Sequence, residues 1–487
     1  MSEGALQGRV GNLTPDQEAK LRELWSATLG ILGVTSDGLA ATDGDETTES
    51  ASENVSSLAE SDQNSTVDSV GSDKRKKKHL GIFGRKRGTG DRINDDSRNS
   101  NGNTVSEADD KYGQNKAFKN AVASETPEDL HEAFWGVVKH DHPDGLLLRF
   151  LRARKWDVEK ALVMMVSTLH WRLREMHVED EIVKRGEGGA LQDSKSSDSA
   201  TRKEGDDFLA QLRMGKSFLH GVDNEGRPIA VVRVRYHKQG EQSESSTEKF
   251  TVYVIETARL FLAPPVDTAA VIFDMTGFSM ANMDYAPVKF MIKCFEANYP
   301  ESLGVVLVHK APWIFQGIWS IIRGWLDPVV AGKVHFTRNV EDLEEFIPRS
   351  RIIKELGGDE DWTYQYVEPN PNENDQMRDE PAKQKLLAER AKSIKRFEMA
   401  TLSWISSAAE RKNLASVRSQ RNDLAEQLRT GYWLLDPYLR ARTIYDRTGC
   451  IKGAGRIDFY PGETSGRKDT GDESRASFHQ TSEEDLD

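Results

Sequence analysis

The feature that most limits what this chain can become lies between residues 269 and 337. It holds two short β-branched stretches, Ala269–Asp274 and Leu303–His309, whose unbroken apolar pattern predicts strands buried on both faces. A helical segment separates them. Residues 312–326 follow, carrying Trp313, Ile314, Phe315, Ile318, Trp319, Ile321, Ile322, Trp325 and Leu326. Gln316 and Arg323 interrupt this segment, and Pro328 stops it about 16 residues after Pro312. A bilayer span needs roughly 20 apolar residues. A helix this greasy and this short is either an ordinary core helix or a movable cover over an apolar ligand. The pattern alone leaves both open.

The chain's 487 residues are 37% hydrophobic and 30% charged, which predicts a normal core alongside long unfolded segments. A net charge of −13 argues against nucleic acid as a partner. The two cysteines, Cys294 and Cys450, are too few and too scattered for a disulfide framework or a zinc site, and a reduced cytosolic setting fits best. No metal-ligand spacing appears. The first ten residues lack the basic-then-apolar pattern of a secretory signal, and no run of about 18 apolar residues occurs.

Residues 1–33 hold a helix, with Thr14 as its cap and Pro15 in its first turn. Glu18 stands four residues beyond Thr14 rather than three, so the capping box reads as imperfect. Residues 34–115 are rich in Ser, Asp, Gly, Thr and Asn and read as a disordered insertion. Within it lies KRKKKHLGIFGRKR, residues 74–87. This cluster fits a solvated charge run, a nuclear import signal or a contact with anionic membrane. Residues 116–185 are helical, with residues 157–176 predicted as one long amphipathic helix. Residues 186–205 read as a polar loop, 206–358 as an α/β domain, 359–462 as a helical extension and 463–487 as an unfolded tail.

Two motifs invite an enzymatic reading. Residues 210–217, AQLRMGKS, fit a relaxed phosphate-loop pattern, but Lys216-Ser217 leads into strand-like FLHGV rather than opening a helix. Residues 277–281, GFSMA, echo the nucleophile elbow of hydrolases. Ala281 weakens that match, and a partner histidine late in the chain is required: His335 could serve, and after it comes only His479, in the expected unfolded tail. A lipid hydrolase using Ser279 stays as an alternative.

The motifs FDMTG (273–277), NYPE (298–301), the strand before Ala311-Pro312, and LDPVVAGK (326–333) occur in that order. Together they make the chain resemble the CRAL-TRIO lipid-binding domain, in particular the fungal phosphatidylinositol transfer proteins. The resemblance implies an α/β fold: a helical N-terminal subdomain, a mixed β-sheet floor with helices enclosing an apolar cavity, and here a helical C-terminal extension. It also implies phosphatidylinositol transfer between membranes without covalent chemistry, and no cofactor beyond the bound phospholipid. The protein would be a cytoplasmic monomer touching membranes transiently. Arg154 and Lys155 of RARKWDV, Glu301 of NYPE and Lys333 of LDPVVAGK match the family's headgroup residues. Cations for a phosphodiester and a carboxylate for inositol hydroxyls are the types that site requires. Without the resemblance, these four would read as surface ion pairs at helix ends.

The family reading makes residues 312–326 a gate. Trp313, Ile314, Phe315, Ile318, Trp319, Ile322, Trp325 and Leu326, with Phe273 and Phe295, would line the cavity and its cover. The chain departs from the family at Val330, where a threonine reaches the headgroup, and at Ala269, Val271 and Phe295, where hydroxyl residues serve phosphatidylcholine. Phosphatidylcholine exchange is therefore not expected, and an apolar sterol- or squalene-like ligand becomes the alternative cargo.

Overall fold

The computed structural model describes residues 6–35, 110–410 and 414–460. The basic cluster at 74–87, most of the 34–115 insertion and the 463–487 tail lie outside the described residues. The insertion's last residues do not follow the expectation of disorder: Lys111 and Tyr112 are bonded to the protein body, and Gln114 is buried at the start of the helix Gln114–Ser124.

The first helix, Pro15–Ile31, has a complete capping box. Thr14 accepts from the Gln17 amide, and the Gln17 side chain accepts from the Thr14 amide. The reciprocal partner is thus Gln17, three residues on, rather than Glu18. This helix buries Leu21, Leu24, Trp25 and Leu29 against Pro127–Val138, Pro143–Ala153 and Val158–His170. The C-terminal helices Glu380–Glu410 and Leu414–Leu439 enter the same core through Phe397, Trp404, Leu424 and Leu428. Buried Asp144 ties three of these segments together. It accepts from the Trp25 indole at 2.7 Å and pairs with Arg421 at 2.5 Å. The C-terminal extension therefore completes the N-terminal helical layer instead of standing apart from it.

Three expectations need correction. Residues 186–205 are helical, in Gly186–Asp193 and Ser199–Arg213. Their polarity is satisfied from afar: Glu187, fully buried, accepts from Tyr253, Tyr366, Arg447 and the Ile444 amide. The predicted helix at 157–176 ends at His170 and passes into a π turn, Trp171–Glu175. The extension is not helical throughout, since it begins with an irregular run and ends in a small strand pair, Ile451–Lys452 with Arg456–Ile457.

The main sheet has the order β1 (Ser217–Val222), β2 (Pro228–Arg233), β3 (Ala269–Asp274), β4 (Leu303–His309), β5 (Val334–Thr337). β1 is antiparallel to β2, and the remaining pairs are parallel. Alternate residues face opposite sides. Phe218, Val231, Ile272 and Leu307 meet a cover made by Leu343, Ile347, Ile352 and Leu356. On the other face Val271, Phe273, Val306 and Val308 look onto a cavity roofed by the helices Glu244–Leu260, Tyr285–Lys293 and Phe315–Arg323. No helix among the described residues is long and apolar enough to cross a membrane.

Candidate functional site

The cavity measures about 290 Å3 and its wall is almost wholly hydrocarbon. Phe273 and Phe295 line it, as do Phe315, Trp319, Ile322 and Leu326 of the 312–326 segment. Ala269, Val271 and Val330 line it too, presenting no hydroxyl. The segment's helix proper is Phe315–Arg323, and one face of it, Phe315, Ile318 and Ile322, is buried. Ile318 packs in that cluster rather than on the cavity wall, with Met275, Ile292 and Val308. Trp325 packs edge-on to Tyr285 at 5.3 Å.

Trp313 and Ile314, expected in the cavity or its gate, are not on the cavity wall. They point outward, 84% and 41% exposed, and Ile321 joins them at 48%. Residues that looked wrapped around the helix form two apolar faces, one inside and one bare to solvent. Val329 and Phe336 are exposed as well. Exposed aromatic and aliphatic groups on a gate over a hydrocarbon cavity suit contact with a lipid surface.

At the N-terminal ends of β4 and β5, Glu301 and Lys333 face each other, with Nζ to Oε2 at 3.8 Å and each side chain 23% exposed. Their neighbours Ser302 and Val334 line the cavity, so the pair stands at one of its ends. Glu301 has φ +54, in the left-handed region that non-glycine residues rarely adopt. Lys155 and Trp156 share that geometry at φ +52 and +68. Such backbone costs ~1–3 kcal/mol per residue and persists where surrounding contacts impose it. Here the Glu301 carbonyl accepts from Arg149 at 2.7 Å, and Gly8 leaves room for the Trp156 ring.

Arg154 donates to Gln114 at 2.6 Å, and Gln114 donates to the Ala297 carbonyl, four residues before Glu301. Arg149 likewise reaches from the helix Pro143–Ala153 to Glu301. The end of that helix is therefore docked against the 297–301 segment. Lys155 is exposed.

Three further groups were not singled out by sequence reasoning. Arg149 and Arg152 precede Arg154 in the same RFLRARK run, and that crowding of cations was the available signal. Asp267 pairs with both Arg9, at 2.9 Å, and Arg152, at 3.1 Å. Burial, reinforced by the Arg9 and Arg149 charges and opposed by Asp267, brings the Arg152 guanidinium down to about 10. Glu296 fastens the gate. It accepts from Lys111 at 2.8 Å, from the Tyr112 hydroxyl at 2.7 Å and from the Asp327 amide just beyond the gate at 2.7 Å. Lys111 also bonds the Trp325 carbonyl. Burial and then Glu296 push the Tyr112 phenol well above its usual range.

The motif residues themselves are mostly scaffolding. Tyr299 donates at 2.8 Å to Glu256, which also holds Lys139, Arg172 and Arg259 in a buried cluster. Asp274 of FDMTG pairs with Arg235 and accepts from the Thr276 amide at 3.0 Å. Neither enzyme-like motif has the geometry its chemistry needs. Lys216-Ser217 follows a helix and opens a strand, the reverse of a phosphate loop. The Ser279 hydroxyl donates to Asn282 at 2.9 Å, while His335 packs against Phe346.

Residues 212–358 match the family described as CRAL/TRIO domain, and residues 114–167 match CRAL/TRIO, N-terminal domain. A CRAL-TRIO domain-containing protein of Schizosaccharomyces pombe is 45% identical over 93% of this chain and 93% of its own length. The phosphatidylinositol transfer protein CSR1 of Eremothecium gossypii is 40% identical over 93% of this chain and its full length. The phosphatidylinositol/phosphatidylcholine transfer protein SFH12 of Arabidopsis thaliana is 29% identical over 45% of this chain and 40% of its own.

Proposed function

The chain belongs to the CRAL-TRIO family, and from that premise we propose that it carries phosphatidylinositol between membranes, or presents it to lipid-modifying enzymes, without making or breaking a bond. The observation that carries this reading is the pairing of a hydrocarbon cavity with the Glu301–Lys333 pair at its end. Lys333, Lys155 and Arg154 supply cations for a phosphodiester, and Glu301 accepts from inositol hydroxyls. The acyl chains take the cavity. Each buried methylene is worth about 0.8 kcal/mol, so the protein must offer an interior as apolar as the bilayer the lipid leaves.

The gate's two apolar faces suit this task. Phe315 and Ile322 close the cavity while Trp313, Ile314 and Ile321 stand ready to enter a membrane surface. The protein acts as a cytoplasmic monomer that visits membranes, and the bound phospholipid is its ligand rather than a cofactor. The absence of any hydroxyl at Ala269, Val271 and Phe295 favours a second, more apolar cargo of sterol or squalene type over phosphatidylcholine. Mass spectrometry of lipid extracted from the purified protein tests both readings. Phosphatidylinositol as the dominant lipid supports the first. A neutral isoprenoid alone replaces it with the second.

A further inference from the structure

The cavity has a second polar end, opposite the Glu301–Lys333 pair. Cross-strand partners in β1 and β2 share a face, so Ser217 and Leu219 stand with Val232 and Ala230 on the cavity side. Ser217 lies near the end of the sheet where β2 and β3 finish, opposite Val232 and level with Phe273. Ala269, which lines the other end, is four residues back along β3 from Phe273, about 13 Å away along the strand. Between the two ends the wall is Val271, Phe273 and Val306.

Lys216 and Ser217 both line this far end and are 6% and 8% exposed. The Lys216 ammonium donates to the Gln211 and Gln242 amide oxygens, at 3.1 and 3.0 Å, and no ion pair holds it among the described residues. An ammonium has three protons to donate, so one is left over. The Ser217 hydroxyl is buried with no hydrogen-bond partner among the described residues. A buried charge without a counter-ion and a buried hydroxyl without an acceptor are each costly. Three carboxylates, Glu241, Asp284 and Asp207, lie near enough to act on Lys216, but none is bonded to it: Asp284 accepts from the Ala286 amide at 3.1 Å and faces His237 at 3.3 Å, and Asp207 pairs with Lys203.

We propose that Lys216 and Ser217 form a subsite for the carboxylate of a long-chain monocarboxylic acid, whose aliphatic tail lies along the Val271–Phe273 wall. A carboxylate supplies the missing negative charge and enough lone pairs for both donors, and the hydrocarbon walls select a chain that carries nothing polar elsewhere. A phosphatidylinositol acyl chain would fill the same volume but place no anion here, so a free fatty acid would compete with it. This inference needs only the cavity and holds whether or not inositol lipid is the cargo.

The test uses delipidated full chain and the fluorescent fatty acid cis-parinaric acid, with its methyl ester as the uncharged control. The acid should bind at least ~10-fold tighter than the ester, the size of one charge-assisted hydrogen bond. Lys216→Met should abolish that preference, and Ser217→Ala should reduce it several-fold. Equal binding of acid and ester by the natural protein overturns the proposal without any variant. An acid preference that survives in Lys216→Met, with the melting temperature retained, overturns it as well. Loss of transfer by the natural protein, with the acid preference intact, would count against the transfer reading alone.

Discussion

Replacing Lys333 by alanine separates a ligand-binding role from a structural one, because the two predict effects of different size on different observables. Lys333 and Glu301 approach to 3.8 Å with each side chain about a quarter exposed. An ion pair in that setting contributes ~0–1 kcal/mol to folding. Removing the lysine leaves Glu301 within reach of water, so no buried charge is stranded. The fold should lose at most ~1 kcal/mol, or ~2–4 °C in melting temperature. A lysine bonding a phosphodiester at the edge of a hydrocarbon cavity is worth ~1.5–3 kcal/mol, a factor of about 10 to 150 in affinity. Transfer of labelled phosphatidylinositol between donor and acceptor vesicles, measured beside thermal unfolding, resolves the two. Transfer should fall at least ~10-fold while the melting curve barely moves. Unimpaired transfer, or a collapse of stability, would refute the headgroup assignment.

Other perturbations read other parts of the molecule. Glu256→Gln should destabilise by ~3–5 kcal/mol in urea, because it strands the buried cations of Lys139 and Arg172. Burial opposes ionisation of Glu256, but Arg172, Lys139 and Arg259 outweigh it and hold the carboxyl well below its usual range. Its contribution is therefore present above the unfolded carboxylate range and is lost as pH falls through its lower folded value, so the natural protein should lose its advantage over Glu256→Gln in acid. Glu296→Gln weakens the fastening by Lys111 and Tyr112 and should raise amide exchange around residues 325–327 and speed lipid release. Unchanged exchange there would show that the gate is held otherwise. Burial brings the Lys216 ammonium down to about 8, against about 10.4 when unfolded. Between those values the unfolded chain binds the extra proton, so stability rises with pH. Relative to Lys216→Met, the natural protein should gain ~2 kcal/mol between pH 7.5 and 9.5, read from urea midpoints.

What the sequence discloses here, and what it hides, follows the range of the interactions. β3 and β4 were legible because a buried parallel strand writes its environment into consecutive residues, and their bounds coincide with the runs read from pattern. The gate was legible in length and apolarity but not in orientation. Only the packed structure divides Phe315, Ile318 and Ile322 from Trp313, Ile314 and Ile321. Residues 186–205 looked like a loop because their helices are stabilised by polar partners up to 260 residues away, such as Arg447 on Glu187. No local period records such a bond. The fastening of Glu296 by Tyr112 spans 184 residues and was hidden for the same reason.

The same distinction bears on how the signature motifs work. Tyr299 and Glu301 are two residues apart, yet one is sunk in the Glu256 cluster and the other is turned outward by a left-handed backbone. The buried tyrosine fixes the chain's path. Arg149 then holds the Glu301 carbonyl, so the carboxylate reaches the cavity's end at a defined place. Strain there is tolerable because the cluster behind it is fully paired: Glu256 is met by Lys139, Arg172, Arg259 and Tyr299. On the proposed reading, a headgroup site built this way is rigid on the protein side, and lipid exchange falls to the 312–326 segment and its Glu296 fastening. Motion and recognition would thereby fall to different segments of the chain.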